Sequence, residues 1–152
     1  MKSREFIVAS ATLTLVTYVL ALSLAGQVLS ATQTSRTVSN AGTVKAIGVG
    51  VYWGNECTNA TSSVDWGTLE PGSSENITCY IRNEGNSVST LSMYTSNWSP
   101  SNASGYMSLS WDYCEQPINV DEVIQVMFTL SVDAGISGIT SFSFDIAIVG
   151  SG

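Results

Sequence analysis

The amino-acid sequence predicts an all-β fold, a sandwich of two antiparallel sheets with about seven strands. Apolar and polar residues alternate with a period of two in segments that recur about every 8–12 residues. The chain is rich in Ser, Thr and Gly and poor in Lys and Glu, a composition that favours strands and turns over helices. No helical periodicity follows Val28. Short strands with one apolar face are typical of a two-layer sandwich.

The clearest alternation lies in Glu122–Asp133, where the apolar residues from Ile124 to Val132 share one face. In the first predicted strand, Ile47, Val49, Val51 and Trp53 also share a face. The turn at residues 83–86 is expected to join its flanking strands as a hairpin. The predicted strands are Val44–Trp53, Ser63–Gly67, Asn76–Arg82, Ser87–Thr95, Met107–Trp111, Glu122–Asp133 and Phe142–Ile148.

The apolar rows are large enough to support a core. About twenty buried side chains at ~1.5–3 kcal/mol each contribute tens of kcal/mol against chain entropy. We therefore expect the domain to fold without a metal or another cofactor.

An uncharged apolar segment, Phe6 to Val28, precedes the predicted strands. As a helix it would be about 34 Å long, enough to cross a hydrocarbon layer of about 30 Å. Lys2 and Arg4 precede it, so the rest of the chain is expected outside the membrane. Residues 1–29 are interpreted either as a retained membrane anchor or as a cleaved signal peptide. Residues 30–42 are expected to form an extended or mobile tether, and residues 43–150 the sandwich.

Charge and residue types exclude several functions. The chain has a formal net charge of −7 and no histidine. An acidic surface repels phosphate backbones, so nucleic acid is not an expected partner. Without histidine the commonest general base and metal ligand are missing. No serine or cysteine has a recognisable base, and we expect no catalytic residues and no enzymatic activity.

Four N-x-[ST] sites follow the apolar segment, at loops or outward strand positions. On an exported chain such sites are expected to carry glycans, although sequons also arise by chance in Ser- and Thr-rich sequences. The candidate glycosylation sites are Asn59, Asn76, Asn97 and Asn102.

Tryptophans and acidic residues are weaker candidates for a site. Trp53, Trp66 and Trp111 alternate in step with the inward-facing residues of their predicted strands, so they are expected in the core or at its rim. Trp98, beside two sequons in a predicted loop, is the one expected to make external contacts. The acidic residues near one loop have oxygen ligands that suit Ca²⁺, but their spacing matches no calcium motif and a solvated loop is the expected outcome. These residues are Asp112, Glu115, Asp121 and Glu122.

The three cysteines allow one internal disulfide, which would persist outside the cell. Cys79 has inward parity and is expected to act as a small apolar residue. Cys57 and Cys114 lie in predicted loops and form the favoured pair, with Cys57–Cys79 as the alternative.

The segment from Trp66 to Asn86, WGTLEPGSSENITCYIRNEGN, resembles the immunoglobulin-like modules of prokaryotic surface proteins of the CARDB kind. It also resembles part of the TasA/camelysin fibre proteins of biofilm matrices. With its N-terminal segment, the chain looks like small archaeal exported proteins that carry one such module. The resemblance implies an immunoglobulin-like sandwich without catalytic residues. The fibre group would further imply strand donation between subunits, with Ser30 to Val44 as the donor segment. A lesser resemblance is to archaeal type IV pilins and archaellins.

Three functional hypotheses follow. The first is a non-enzymatic structural or adhesive protein of the cell surface or medium, tethered by its N-terminal helix and glycosylated. Its partners would be the membrane, other surface proteins or copies of itself. The second is a subunit of an extracellular filament. The third is a carbohydrate-binding module that uses loop aromatics.

Overall fold

The computed structural model describes residues 38–152, which form strands joined by turns and one short 3-10 helix, Ser101–Gly105. The N-terminal segment 1–29, predicted to be helical, lies outside the described residues. Within residues 38–152 no helix is long and apolar enough to span a membrane. The strands are β1 (Val38–Ile47), β2 (Val49–Tyr52), β3 (Ser63–Leu69), β4 (Ser74–Asn83), β5 (Thr90–Ser99), β6 (Met107–Trp111), β7 (Val123–Val132) and β8 (Ser141–Ser151).

The strands form two four-stranded sheets. The first sheet has the order β3-β1-β8-β5, and the second has the order β2-β4-β7-β6. β1 runs parallel to β8, from Ser39 opposite Ser141 to Ile47 opposite Val149. The other neighbouring strands are antiparallel. The all-β prediction is confirmed, with strands drawn from both ends of the described chain meeting in the first sheet.

The apolar rows of the two sheets share one core. On β7, Val126, Phe128, Leu130 and Val132 are buried, and their neighbours along the strand are more exposed. On β8 the buried row confirms the predicted alternation in the same way. Because side chains alternate across a pleated strand, each row faces the core with a period of two. The β8 row is Phe142, Phe144, Ile146 and Ile148.

The predicted strand Val44–Trp53 is divided at Gly48 into β1 and β2, which belong to different sheets. Gly48 has a φ of +74°, a conformation that glycine adopts without steric cost. The alternation shifts by one residue there, so Val49 and Val51 are buried while Ile47 is 63 % exposed. Trp53, at the end of the row, is 39 % exposed. The prediction that Ile47 shares a face with Val49 and Val51 was therefore wrong.

β1 begins at Val38, inside the range 30–42 that was assigned to the tether. Its first residues pair with the end of β3, Val38 opposite Leu69, and the side chain of Val38 is 1 % exposed. Residues 38–42 are extended, as one form of that expectation has it, but they belong to the first sheet rather than to a separate tether, because residues 39–42 are paired on both sides. The rest of that range lies outside the described residues.

The predicted hairpin at residues 83–86 was also wrong. β4 lies in the second sheet and β5 in the first, so the chain crosses between sheets at this point. The fully buried side chain of Asn83 holds the crossing. Its Nδ2 donates to the carbonyls of Ser87, at 2.8 Å, and Ile118, at 3.0 Å, and its Oδ1 accepts from the N–H of Gly85 at 3.0 Å. These bonds take the place of direct strand pairing.

Candidate functional site

The acidic residues considered for calcium do not converge on a metal site. Among residues 38–152 there is no group of three or more His, Cys, Asp or Glu residues that could hold a metal ion. Asp112 Oδ1 accepts from the N–H of Met127 at 2.8 Å. Glu122 Oε2 accepts from the backbone and side-chain nitrogens of Asn119, both at 2.8 Å. Asp112 and Glu122 each use one carboxylate oxygen in these bonds, Asp112 at a strand end and Glu122 in a turn.

A shallow cleft of about 330 Å³ lies beside the 3-10 helix and the ends of β6 and β7. Asp133 is the one carboxylate among its lining residues, and it accepts from the N–H of Gly135 at 2.6 Å. The other lining residues are small, apolar or hydroxyl-bearing, and none is a base that activates a nucleophile. They are Ser104, Gly105, Tyr106, Met107, Ser108, Ser131 and Val132.

All four sequon asparagines are exposed, and they are distributed over both sheets and the loops. Asn59 lies in the loop after β2, and Asn102 lies in the 3-10 helix. Asn76 is on the outward face of β4, where its Oδ1 accepts from Thr129 Oγ1 at 2.8 Å. Its Nδ2, the atom to which a glycan is attached, is left open. The fold therefore presents these positions to solvent.

Asn97 differs from the other three because its amide is part of a polar network. It has a φ of +54° in the bulged end of β5, and its Nδ2 donates to Asp145 Oδ2 at 2.8 Å. Lys45 Nζ contacts the same oxygen at 2.6 Å. These two hydrogen bonds, that of Lys45 first, lower the pKa of Asp145 below its ordinary value of 3.8.

Trp98, expected to make external contacts, instead packs inward. It lies in β5 rather than in a loop, and its ring stacks on Phe144 with centroids 4.1 Å apart and planes 7° apart. Trp66 is buried, and Trp111 stacks on Phe128 at 6.1 Å. The positive φ at Asn97 and the bulge between Ser96 and Ser99 place Trp98 off the regular alternation, which sequence parity could not detect.

The cysteines carry free thiols, and the predicted Cys57–Cys114 bond is absent from the described structure. Cys57 follows β2 and Cys114 follows β6, the two opposite edges of the second sheet. Three strand spacings, about 14 Å, separate those edges, beyond the reach of a disulfide. Cys79 is fully buried between the sheets, and burial raises the pKa of its thiol to about 11. It is not bonded to Cys57 either.

A polar cluster at one corner of the second sheet was not identified from the sequence. Glu84 Oε1 accepts hydrogen bonds from the hydroxyl of Tyr52 and from Arg82 Nη2, the latter at 2.9 Å. The guanidinium of Arg82 lies 5.7 Å from the centre of the Tyr52 ring. The hydrogen bond to Glu84 raises the pKa of Tyr52. Only the outward parity of Tyr52 and Arg82 could have suggested this cluster, since their pairing depends on β2 lying beside β4.

The free edge of β5 is the second feature that sequence reasoning missed. β3 and β5 are the edges of the first sheet, and β2 and β6 are those of the second. β5 has ten residues, TLSMYTSNWS, and none is charged. Tyr94 points outward from it and is 60 % exposed. The predicted hairpin at residues 83–86 paired this strand with β4, so the sequence did not predict that it forms an edge.

Comparison with known proteins gives no relative to which this site can be referred: no protein-family model matches the chain, and no curated protein shows a significant match.

Proposed function

We propose that this chain is a non-enzymatic structural or adhesive protein of the cell surface or the medium. In this proposal its N-terminal segment exports and tethers a glycosylated immunoglobulin-like sandwich. The exposure of all four sequon asparagines is the observation that carries the proposal. The parallel pairing of the first described strand with the last, across two four-stranded sheets, supports the immunoglobulin-like assignment.

The surface of the described domain fits an extracellular role. Its apolar rows are sealed between the sheets, and its carboxylates far outnumber its basic groups. The membrane, other surface proteins and further copies of the chain are its proposed partners. No catalytic residue and no cofactor are part of the proposal.

Glycopeptide mass spectrometry of the protein from its native cells tests this function. We expect sugar on Asn59 and Asn102, whose loop and 3-10 positions are open. Asn→Gln substitution at each site should remove one glycan mass, and Asn86→Gln, at an exposed asparagine outside any sequon, should remove none. Unmodified asparagine at all four sites would contradict the proposal. The N-terminal peptide distinguishes its two forms, because an intact start indicates an anchor and a start near Gly26 or Thr32 indicates a cleaved signal.

A second candidate is a filament subunit that exchanges strands with its neighbours. β1 is the first described strand, and it pairs with β3 on one side and β8 on the other. In the structure this strand, which includes part of the expected donor segment, belongs to its own chain. If β1 were exchanged between copies, it would pair with β3 and β8 of a neighbouring molecule instead of its own, and the molecules would be linked. Electron microscopy of extracellular material tests it, and ordered fibres composed of this chain would favour it over the first candidate.

Carbohydrate binding through Trp98 has less support, because that ring is stacked on Phe144 in the core. A glycan array compared between the wild type and Trp53→Ala, at the exposed tryptophan, would detect a sugar site elsewhere on the surface.

A further inference from the structure

We propose that the free edge of β5 joins two copies of this chain. The two β5 strands pair antiparallel about Tyr94, so that the first sheets of both molecules become continuous. This dimer is a separate property from the proposed function, since it requires neither glycans nor a membrane anchor.

Three of the four sheet edges are protected against such pairing. β2 has four residues and β6 has five, half the length of β5 or less. β3 has seven residues, with the exposed carboxylate of Asp65 and an irregularity in its pairing with β1. Short length, charge and bulges are the usual means by which proteins block edge pairing. Among the four described edge strands, β5 is the longest, and none of its ten residues is charged.

The uncovered part of β5 is short and well defined. Ser89 exchanges backbone hydrogen bonds with Ile118 at 2.8 and 3.0 Å, and the N–H of Leu91 donates to the hydroxyl of Tyr113 at 3.1 Å. Backbone groups of alternate residues face the same side of a strand, so those of Met93 and Thr95 also face the free edge. The positive φ of Asn97 ends the regular strand. Residues 92–96 therefore remain for a partner.

A two-fold axis at Tyr94 uses every one of these groups. Met93 of each copy then lies opposite Thr95 of the other and exchanges both of its backbone hydrogen bonds with it. An axis at Met93 would instead require the N–H of Leu91, which already donates to Tyr113. The structure therefore favours one register, with the two Tyr94 side chains adjacent on the outer face.

The neutral charge of this edge permits a second copy of the acidic chain as the partner. The chain carries a formal net charge of −7, so two molecules can approach closely only through neutral surface. Beside β5, the carboxylate of Asp145 is neutralised by Lys45 at 2.6 Å. Ile47 and Tyr94, 63 % and 60 % exposed, are the large apolar side chains of that face. Each copy presents the same neutral β5 edge. Pairing of the two edges stops at a dimer, because neither copy then has a free β5 edge for a third molecule.

Cysteine cross-linking of the full-length chain in detergent tests the register. Cys57 and Cys114 are first replaced by Ser, and Cys79 is retained because it is buried. Tyr94→Cys places two thiols on a pair with Cα atoms about 4.5 Å apart, within the range of a disulfide. Ser96→Cys is the matched control on the same exposed face. In this register the two residues at position 96 are about 13 Å apart along the strands. Under mild oxidation, the Tyr94→Cys variant should form covalent dimer at least about tenfold faster than the Ser96→Cys variant.

Equal cross-linking of the two variants, or none, would overturn the proposal. A charge-swap experiment supplies a second test, because Tyr94 is exposed and its replacement should leave the fold intact. Tyr94→Lys and Tyr94→Glu should each be monomeric by sedimentation velocity, since like charges would face each other, and their mixture should recover the dimer. A wild-type chain that stays monomeric, or a Tyr94→Lys variant that dimerises like the wild type, would refute it.

Discussion

Asn83 combines complete burial with a full set of hydrogen bonds at the crossing between the sheets. Its side chain donates hydrogen bonds to the carbonyls of Ser87 and Ile118 and accepts one from the N–H of Gly85. In Asn83→Ala the N–H of Gly85 loses its partner, and the carbonyls of Ser87 and Ile118 keep only their bonds from Ser89. We expect the free energy of unfolding to fall by about 2–4 kcal/mol, because unsatisfied buried polar groups are costly.

Denaturant unfolding checks this effect, with Asn86→Ala as the control. Asn86 lies in the same loop and is exposed, so its replacement should change stability by less than about 0.5 kcal/mol. Equal stability of the two variants would show that Asn83 does not hold the crossing.

Asp145 should make the stability of the domain depend on acid pH. Its folded pKa lies below the ordinary value of 3.8 because Lys45 and Asn97 favour the charged form. A lowered folded pKa stabilises the protein above the unfolded pKa, and this contribution disappears as the pH falls through the folded value. Asp145→Asn should therefore unfold with a weaker dependence on pH below about 4. Parallel melting curves of the variant and the wild type across that range would contradict the assignment.

At the scale of elements, Gly48 decides that β1 and β2 belong to different sheets. Its φ of +74° costs a residue with a Cβ about 1–2 kcal/mol, even though the nearest atom to an added Cβ, the carbonyl oxygen of Gly150, is at an ordinary 3.6 Å. We expect Gly48→Ala to lower the unfolding free energy by about that amount. Gly105→Ala, at an exposed position with open space around its Cα, should be nearly neutral. A larger loss for Gly105→Ala than for Gly48→Ala in thermal melts would refute this explanation.

At the scale of the whole molecule, the charges of the described domain are strongly unbalanced. Its two basic side chains are both paired, Lys45 with Asp145 and Arg82 with Glu84. The remaining acidic groups leave a negative exterior that repels polyanions. We expect the full-length chain to pass through a heparin column at about 0.1 M salt, and to be retained by an anion exchanger in the same buffer. Retention on heparin would contradict this picture of the surface.

The sandwich and its inward rows were predictable, whereas parts of the candidate site were not. The sequons could be found because a sequon is a local pattern. The free edge of β5 could not, because the turn at residues 83–86 is as compatible with a crossing between sheets as with a hairpin. The packing of Trp98 on Phe144 depends on a bulge that alternation does not reveal.

The sequence by itself determined which side chains of β7 and β8 face the core, because the two-residue period of a strand is a local property of the backbone. It also determined the acidic charge and the positions of the sequons. Only the tertiary structure decided which strands are neighbours, that β1 lies parallel to β8, and that the cysteines stand apart. Those outcomes depend on contacts between distant residues, and the conformations of Gly48 and Asn83 select among pairings that share the same alternation.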